Sequence, residues 1–287
     1  MAGRLVERKL DGRLSTQMTS PPADGIRFYW LGQAGFILEM AGRRLVVDPY
    51  LSDSLFEKYR DTPRPHVRMM PPPIEPGECG SVDLVLSTHA HTDHMDPGTL
   101  PALFATNPAA VFVAPRAARQ QALDRSGLSE DRMALVDAGE IIHPFAGLTI
   151  TATRAAHETL ETDRAGNHRF LGYVIEAGGL RIWHSGDCVP FEGLWDEIAA
   201  QAPGIVLLPV NGRRPDLSDN GVPGNFTLEE AIETAHGVGA AHLVAHHYGL
   251  FDFNTEDPAV IDQAAASSRD LDIRRAQTGV CYEWQRD

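Results

Sequence analysis

The sequence predicts an α/β (α+β) protein, an αββα sandwich in which two mixed β-sheets pack face to face with helices outside. Two observations predict this class. Short β-branched or aromatic runs dominate the first third of the 287-residue chain, and strands alternate with helices in the remainder. That order places two sheets inside and helices on their outer faces. We expect an N-terminal arm, residues 1–25, followed by a single domain over residues 26–287.

The composition limits the classes of partner. Hydrophobic residues make up 43% and charged residues 22%, as in ordinary globular proteins. The 25 basic residues face 39 acidic ones, a net charge of −14 that repels a nucleic-acid backbone. We expect no membrane partner and a cytoplasmic location, because the sequence has neither a secretory signal nor a long apolar segment. Its oligomeric state stays open, with a homo-oligomer as one alternative.

The first strands and a proline-rich segment open the element pattern. Three runs read as strands broken by glycine, at 26–32, 35–40 and 43–49. Residues 63–77 hold six prolines and can form neither a regular helix nor a central strand. We expect an ordered surface loop there, and a linker between domains is the alternative.

Strands and helices then alternate to the end of the chain. Residues 82–88 form a continuous apolar run typical of a strand buried on both faces. Further strands are predicted at 110–115, 148–156, 172–177, 180–186, 204–210, 242–247 and 275–284. Helices are predicted at 100–106, 116–127, 191–201, 228–238 and 258–269. Asn225 or Thr227 is expected to cap the fourth of these helices.

The most informative stretch follows the buried strand directly. Its motif places His89, His91, Asp93 and His94 within six residues, in a loop at the carboxyl end of a strand. Imidazole nitrogens and carboxylate oxygens are ligands for divalent metals. The sequence therefore predicts a metal site here, with a solvated polar loop as the alternative. The three separated cysteines form neither a disulfide framework nor a CxxC metal pair.

The histidine motif resembles the HxHxDH motif of the metallo-β-lactamase superfamily, and this resemblance implies the superfamily's fold and two divalent metal ions. It also implies three further ligands, for which His157, Asp187 and His247 are the candidates. His89, His91 and His157 would hold one ion, and Asp93, His94 and His247 the other. Asp187 would bridge them.

Each further ligand has an alternative in the sequence. His143 and His168 compete with His157, and His246 competes with its neighbour His247. Asp187 follows Gly186 at the end of a predicted strand, where it could instead cap a helix.

Several segments look like the L-ascorbate-6-phosphate lactonase (UlaG-like) branch. These are residues 30–36, 47–53, 208–213, 224–231 and 247–255. The chain departs from the branch at Gln33, where a histidine is expected, and at Ala245-His246. The branch implies opening of a sugar lactone, phosphorylated in the type substrate, by a metal-bridging hydroxide, with Zn²⁺ or Mn²⁺ as the metals.

Other residues would serve the substrate. Arg213 offers a planar fork for a phosphate or carboxylate of an anionic small molecule, and Asn211 can donate to a carbonyl, although Asn211-Gly212 also reads as a turn. The tetrahedral oxyanion would be held by metal with Tyr248, Asn211 or His184. The metal or a protonated Asp93 would assist the leaving alkoxide, and Asp187 would act through both metals.

Two rival functions remain at this point. A phosphodiesterase or phospholipase could use the same two-metal site. A non-catalytic metal-binding scaffold is the second rival, although it would not need a complete set of seven ligands. A nuclease is disfavoured by the net charge.

Overall fold

The computed structural model describes residues 3–286, which form two compact units. The first unit contains the described residues up to Val136 and from Gln277 onward, and the second spans Asp137–Ala276. Each unit is built on one mixed sheet with helices packed on it. Two mixed sheets flanked by helices are the fold class predicted from the sequence, which is confirmed. Within the described chain, no helix is long and apolar enough to cross a bilayer.

The first unit carries an eight-stranded sheet in the order β1-β15-β2-β3-β4-β5-β6-β7. Its strands are β1 Gly3–Lys9, β2 Ile26–Gly32, β3 Gly35–Met40, β4 Arg43–Val47, β5 Leu84–Leu86, β6 Val111–Pro115, β7 Met133–Val136 and β15 Val280–Arg286. Its helices are α1 Leu14–Met18, α2 Ser54–Tyr59, α3 Leu100–Thr106 and α4 Arg119–Ser126. Strands β4 to β7 run parallel to one another, and the other neighbours are antiparallel.

The core of this unit explains why its helices form. Leu14 and Met18 of α1 and Leu100, Leu103 and Phe104 of α3 are buried in one apolar cluster with the sheet. Burying such side chains contributes about 1.5–3 kcal/mol each. The amphipathic spacing of these residues therefore selects the helical conformation through packing rather than through local propensity.

The predicted N-terminal arm is part of the first sheet. Strand β1 pairs antiparallel with β15, at the opposite end of the chain. The buried guanidinium of Arg44 donates to the carbonyl of Met18 over 3.0 Å and to the carboxylate of Glu39 over 2.6 Å. The arm is thus held by strand pairing and by the hydrogen bond from the buried Arg44 side chain to the Met18 carbonyl. Residues 1 and 2 of the predicted arm lie outside the described residues.

The second unit carries a seven-stranded sheet in the order β14-β13-β12-β11-β10-β9-β8. Its strands are β8 Ile141–Phe145, β9 Leu148–Arg154, β10 Leu171–Ala177, β11 Leu180–His184, β12 Ile205–Pro209, β13 His242–His246 and β14 Asp272–Arg275. Its helices are α5 Leu194–Ala199, α6 Pro215–Ser218, α7 Leu228–Gly237 and α8 Pro258–Ser267. Strands β11 to β14 are parallel, so their carboxyl ends share one edge.

Helix α7 begins with a complete capping box. The Thr227 hydroxyl accepts from the Glu230 amide over 3.2 Å, and the Glu230 carboxylate accepts from the Thr227 amide over 3.0 Å. Of the two caps predicted from the sequence, Thr227 is therefore the one used. The apolar face of α7 packs on β12 and β13. This packing positions the carboxyl ends of the two strands, which lead to candidate site residues.

Candidate functional site

The histidine loop, residues 89–94, follows the central parallel strand β5. The Ser87 hydroxyl donates to the carbonyl of His94 over 2.8 Å, and the amide of His94 donates to the carbonyl of His91 over 3.1 Å. These bonds close the loop on itself, so His89 and His94 are buried while His91 is exposed. The loop lies at the carboxyl end of its strand, as predicted from the sequence.

Asp48 and Thr88 orient two of these imidazoles. Asp48 accepts from the Thr88 amide and hydroxyl, each over 2.7 Å, and Nδ1 of His94 lies 2.8 Å from its Oδ2. Since a carboxylate only accepts, Nδ1 of His94 is the donor and Nε2 carries the lone pair. Nδ1 of His89 lies 3.0 Å from the Thr88 hydroxyl, whose proton is given to Asp48. His89 is therefore also set to present a basic Nε2.

The polar side chains of the loop lie close to one another, and the ring centroids of His89 and His94 are 4.0 Å apart. One ligand atom of His89 and one of His91 lie within 4.8 Å of each other, as do those of Asp93 and His94. Gln33 donates from Nε2 to Oδ2 of Asp93 over 2.8 Å, and Nε2 of His94 is 3.7 Å from the same oxygen. The residue that departs from the lactonase branch thus makes a direct hydrogen bond to a candidate ligand.

A second cluster, which we call the Asp187 cluster, consists of His157, Asp187 and His247. Nε2 of His157 lies 3.7 Å from Oδ2 of Asp187, and Nε2 of His247 lies 3.3 Å from Oδ1. All three side chains are buried. The two oxygens of one carboxylate therefore face two different imidazoles.

Both distances to Asp187 are longer than ordinary hydrogen bonds, and the 3.3 Å between His247 and Asp187 matches the separation of two ligands on one metal ion. A charge-assisted N–H···O bond is about 2.7–2.9 Å long, whereas two ligands held about 2.0–2.1 Å from one tetrahedral ion lie about 3.3–3.4 Å apart. The donor set, imidazole nitrogens and carboxylate oxygens in both clusters, is the set that borderline divalent ions take. The residues present therefore fit divalent metal ions.

Strand topology positions the Asp187 cluster. Asp187 follows β11 and His247 follows β13, two parallel strands whose carboxyl ends lie at the same edge. His157 comes three residues after β9, where Val189 donates from its amide to the carbonyl of Ala156 over 2.8 Å. His247 has a φ of +61°, a left-handed backbone that turns the chain directly after the strand.

The structure separates the competing histidines by their surroundings. His143 lies exposed on edge strand β8, with Nδ1 3.2 Å from the Thr149 hydroxyl. Nδ1 of His168 lies 3.0 Å from the carboxylate of Asp137. His168 and Asp137 form a partly exposed pair at hydrogen-bond distance, whereas His157 is buried and faces an aspartate that a second imidazole, that of His247, also faces. The assignment of His157 stays a prediction that the geometry favours.

His246 and His247 differ although they are neighbours. The ring of His246 is fully buried and stacks on His184, with ring centroids 5.1 Å apart. Burial holds the pKa of His246 well below its usual range, so this imidazole stays neutral. His247, not His246, faces the carboxylate of Asp187, which favours the predicted last ligand.

The protein-family model of the Beta-lactamase superfamily domain matches residues 43–248, more than half of the chain. The chain belongs to this superfamily. A UPF0173 metal-dependent hydrolase of Aeropyrum pernix is 28% identical over 247 residues, covering 81% of this chain and 86% of that protein. Another, of Thermoplasma acidophilum, is 27% identical over 242 residues, covering 82% and 88%. The protein is thus a metal-dependent hydrolase of the metallo-β-lactamase superfamily.

Solved structures show the same fold. Igni18, a metallo hydrolase from Ignicoccus hospitalis, has a TM-score of 0.66 at 21% identity and covers 91% of this chain and 99% of its own. An isothiocyanate hydrolase from Delia radicum gut bacteria has a TM-score of 0.70 at 20% identity and covers 89% and 97%. Both confirm the superfamily fold predicted from the histidine motif.

The residues predicted to bind substrate have structural partners. Arg213 contacts both carboxylate oxygens of Glu230, over 2.5 and 2.6 Å, and so ties the loop after β12 to the cap of α7. The Tyr248 hydroxyl donates to the Ala276 carbonyl and accepts from Arg275, and burial raises its pKa. These contacts give Arg213 and Tyr248 roles in the fold, and their roles toward substrate stay predictions.

Asn211 and His184 also have defined hydrogen-bond partners. Asn211 donates to the side chain of Asn254 over 2.9 Å and accepts from that of Asn225 over 3.0 Å. His184 is fully buried, and its Nδ1 accepts from the amide of Gly186 over 3.1 Å. The ring proton of His184 therefore lies on Nε2, as an oxyanion donor requires.

Sequence reasoning missed Asp48 and Thr88 as functional residues and read Gln33 only as a departure. A signal existed, because β4 and β5 are parallel neighbours and Val47 pairs with Leu86. Polar residues just beyond two such strands meet at one edge. Asp48, one residue after β4, could thus have been placed beside the start of the histidine loop.

Proposed function

We propose that this hydrolase is a lactonase, related to the UlaG-like branch, that uses two divalent metal ions. The ligands proposed are the seven residues of the two clusters, namely His89, His91, Asp93, His94, His157, Asp187 and His247. The observation that carries the proposal is Asp187, whose two oxygens face His157 and His247 separately. A carboxylate in that arrangement is suited to bridge two ions rather than to bind one.

The chain's own groups then have distinct tasks. When bound, the metal pair supplies a Lewis acid and an activated water at neutral pH. Asp48 and Thr88 fix the tautomer and orientation of His94 and His89, so that Nε2 of each ring is the atom that would bind metal. Gln33 donates to Oδ2 of Asp93, which leaves Oδ1 as the atom that would pass a proton to the leaving alkoxide. Nε2–H of His184 is the protein donor proposed for the oxyanion.

Ligand chemistry supports more than one metal. Imidazole nitrogens and carboxylate oxygens bind Zn²⁺, Mn²⁺ and Fe²⁺. Of these, we propose Zn²⁺ or Mn²⁺. The substrate is proposed to be a small lactone. An anionic sugar lactone remains part of the proposal because the chain resembles the UlaG-like branch. Arg213, the predicted partner of the anion, forms an ion pair with Glu230.

The test combines metal content with a substrate panel. We expect about two ions per chain in protein purified without chelators, and hydrolysis of γ-butyrolactone and sugar lactones that a chelator abolishes. Bis-p-nitrophenyl phosphate tests the phosphodiesterase alternative. Turnover of the phosphate diester with no turnover of any lactone would replace the lactonase proposal.

The bridging assignment has its own variant. Asp187→Asn should lose metal and nearly all lactone turnover, because a neutral amide is a poor bridge between two cations. Asp270→Asn, at an exposed turn of the same unit, is the matched control and should keep both. One ion per chain together with native turnover in Asp187→Asn would refute the two-metal proposal.

A further inference from the structure

The proline-rich loop, residues 63–77, exposes apolar side chains to solvent. Val67 and Met69 are 57% and 59% exposed, the two most exposed large apolar side chains among the described residues. Exposing an apolar side chain forgoes about 1.5–3 kcal/mol of burial. An apolar ligand that covered both side chains would recover this burial.

The buried side chain of Arg68 anchors the loop between these two exposed side chains. The Arg68 side chain, between Val67 and Met69, is only 7% exposed. Its guanidinium donates to the carbonyl of Ser52 over 3.2 Å and to that of Met70 over 3.3 Å, and it lies 4.7 Å above the ring of Tyr50. Arg68 is thus buried, while its two neighbours, Val67 and Met69, face solvent. Surrounding prolines restrict the backbone further.

The same loop lies beside the histidine loop's Asp93. Met70 packs on Gly32, where an added Cβ would stand 3.5 Å from its sulfur atom. The next residue, Gln33, donates to Asp93 over 2.8 Å. Three residues, Met70, Gly32 and Gln33, therefore connect Met69 to the candidate ligand Asp93.

His66 gives a second connection from the tip to Asp93. Its ring stacks on Tyr59 with centroids 4.5 Å apart, and Nδ1 donates to the carbonyl of Arg64 over 3.0 Å. Burial lowers the pKa of His66, and the opposing effect of the Asp93 charge is smaller. An uncharged ring, directly before Val67 in the chain, thus lies near enough to Asp93 to be affected by its charge.

We infer that Val67 and Met69 form a subsite for an uncharged aliphatic or aromatic arm of the substrate. The reacting carbonyl of that substrate lies at the histidine loop beside Asp93. This inference rests on the proposed hydrolase function and narrows its substrate class to lactones or esters with an apolar substituent.

A small-molecule arm fits this surface better than a protein partner does. A stable protein interface needs roughly 800 Å² from each side, far more than two side chains offer. An anionic group is not favoured either, because the charge of Arg68 between them is directed at backbone carbonyls. The occupant is therefore the apolar end of a ligand whose polar end reaches the histidine loop.

Binding of alkyl hydroxamates to the metal-loaded protein tests the subsite directly. We expect affinity, measured by calorimetry, to rise about two- to fourfold for each CH₂ from acetohydroxamate to octanohydroxamate, as burial of methylenes predicts. The Val67→Ser, Met69→Ser double variant should lose most of this chain-length dependence and keep its metal content. Ile141→Ser, which alters an equally exposed residue on strand β8, is the matched control and should keep it.

The outcomes separate this inference from the proposed function. Equal affinity across the series, or a chain-length dependence that persists in the double variant, overturns the subsite. Hydrolysis of γ-butyrolactone and γ-decalactone by the native protein tests the lactonase proposal independently. Failure to hydrolyse either lactone, with the hydroxamate dependence intact, would sink the lactonase proposal and leave the apolar subsite standing.

Discussion

Nδ1 of His94 donates to Oδ2 of Asp48 over 2.8 Å, and both side chains are completely buried. The carboxylate also accepts the amide and hydroxyl of Thr88, so three donors hold it in one orientation. This pairing fixes the tautomer and the direction of an imidazole proposed to bind metal. Carboxylate–histidine pairs of this kind tune metal sites as strongly as some ligands do.

Asp48→Asn should lower metal affinity by about 10- to 100-fold. Asparagine tolerates the left-handed backbone at this position, where φ is +44°, so the variant changes the hydrogen bonds with little added strain. The asparagine amide can no longer accept from His94 and from both Thr88 donors. Competition with a chromogenic zinc chelator measures the change. Asp53→Asn, at an exposed aspartate nearby, is the control, and equal affinity in the two variants would contradict the role of Asp48.

Gln33→Asn should reduce kcat/KM for lactone hydrolysis about tenfold or more while metal content stays unchanged. The shorter amide cannot span the distance to Asp93, and a hydrogen bond to a charged group contributes about 1.5–3 kcal/mol. Asparagine accepts the φ of +50° found there, which limits strain. Gln33→His, the branch's residue, restores a donor and should recover most of the rate. Identical kinetics of Gln33→Asn and the native enzyme would show that the bond does not position Asp93.

His247→Asn should lower the metal content, whereas His246→Asn should lower the free energy of unfolding. Replacing His247 removes the imidazole that faces Asp187, so metal content should drop with little change in folding. Replacing His246 removes a buried ring stacked on His184 and should cost about 1–3 kcal/mol of unfolding free energy. Metal analysis and thermal unfolding of both variants make the comparison. Loss of metal from His246→Asn alone would reverse the assignment of the last ligand.

Arg213→Ala should lower stability more than it changes substrate binding. Its guanidinium pairs with Glu230, which also closes the capping box of α7. The pair is partly exposed, so a double-mutant cycle with Glu230→Ala should give a coupling of about 0.5–1 kcal/mol. KM values for a neutral and an anionic lactone should change alike. A KM increase confined to the anionic lactone would instead support Arg213 as the substrate's anion partner.

Much of the fold followed from local pattern. The predicted helices at 100–106 and 228–238 match α3 and α7 within one residue at each end. Strands β1, β7, β8 and β14 and helices α1, α2 and α6 were not predicted. All four of those strands lie at sheet edges. Strand β1, for example, shows mostly exposed, charged residues, and its sheet partner is β15, more than 270 residues away. Such a strand is defined by its pairing and carries no buried run of its own.

The predicted last strand, 275–284, shows the same limit. The structure ends β14 at Arg275 and begins β15 at Val280, in different sheets. A continuous stretch of strand-forming residues indicates extended backbone but not which sheet each part joins. That choice depends on partners distant in sequence.

The sequence by itself determined the chemistry of the histidine loop, because four ligand-type residues directly after a buried strand form a local pattern. Only the tertiary structure decided which groups act on them. Asp48 reaches His94 across 46 residues, and Gln33 reaches Asp93 across 60. It also distinguished His247 from His246, since successive residues at a strand end point in opposite directions and a left-handed φ turns only the second toward Asp187. Hydrogen bonds and side-chain directions of this kind are set by chain segments brought together in folding, and a linear pattern does not contain them.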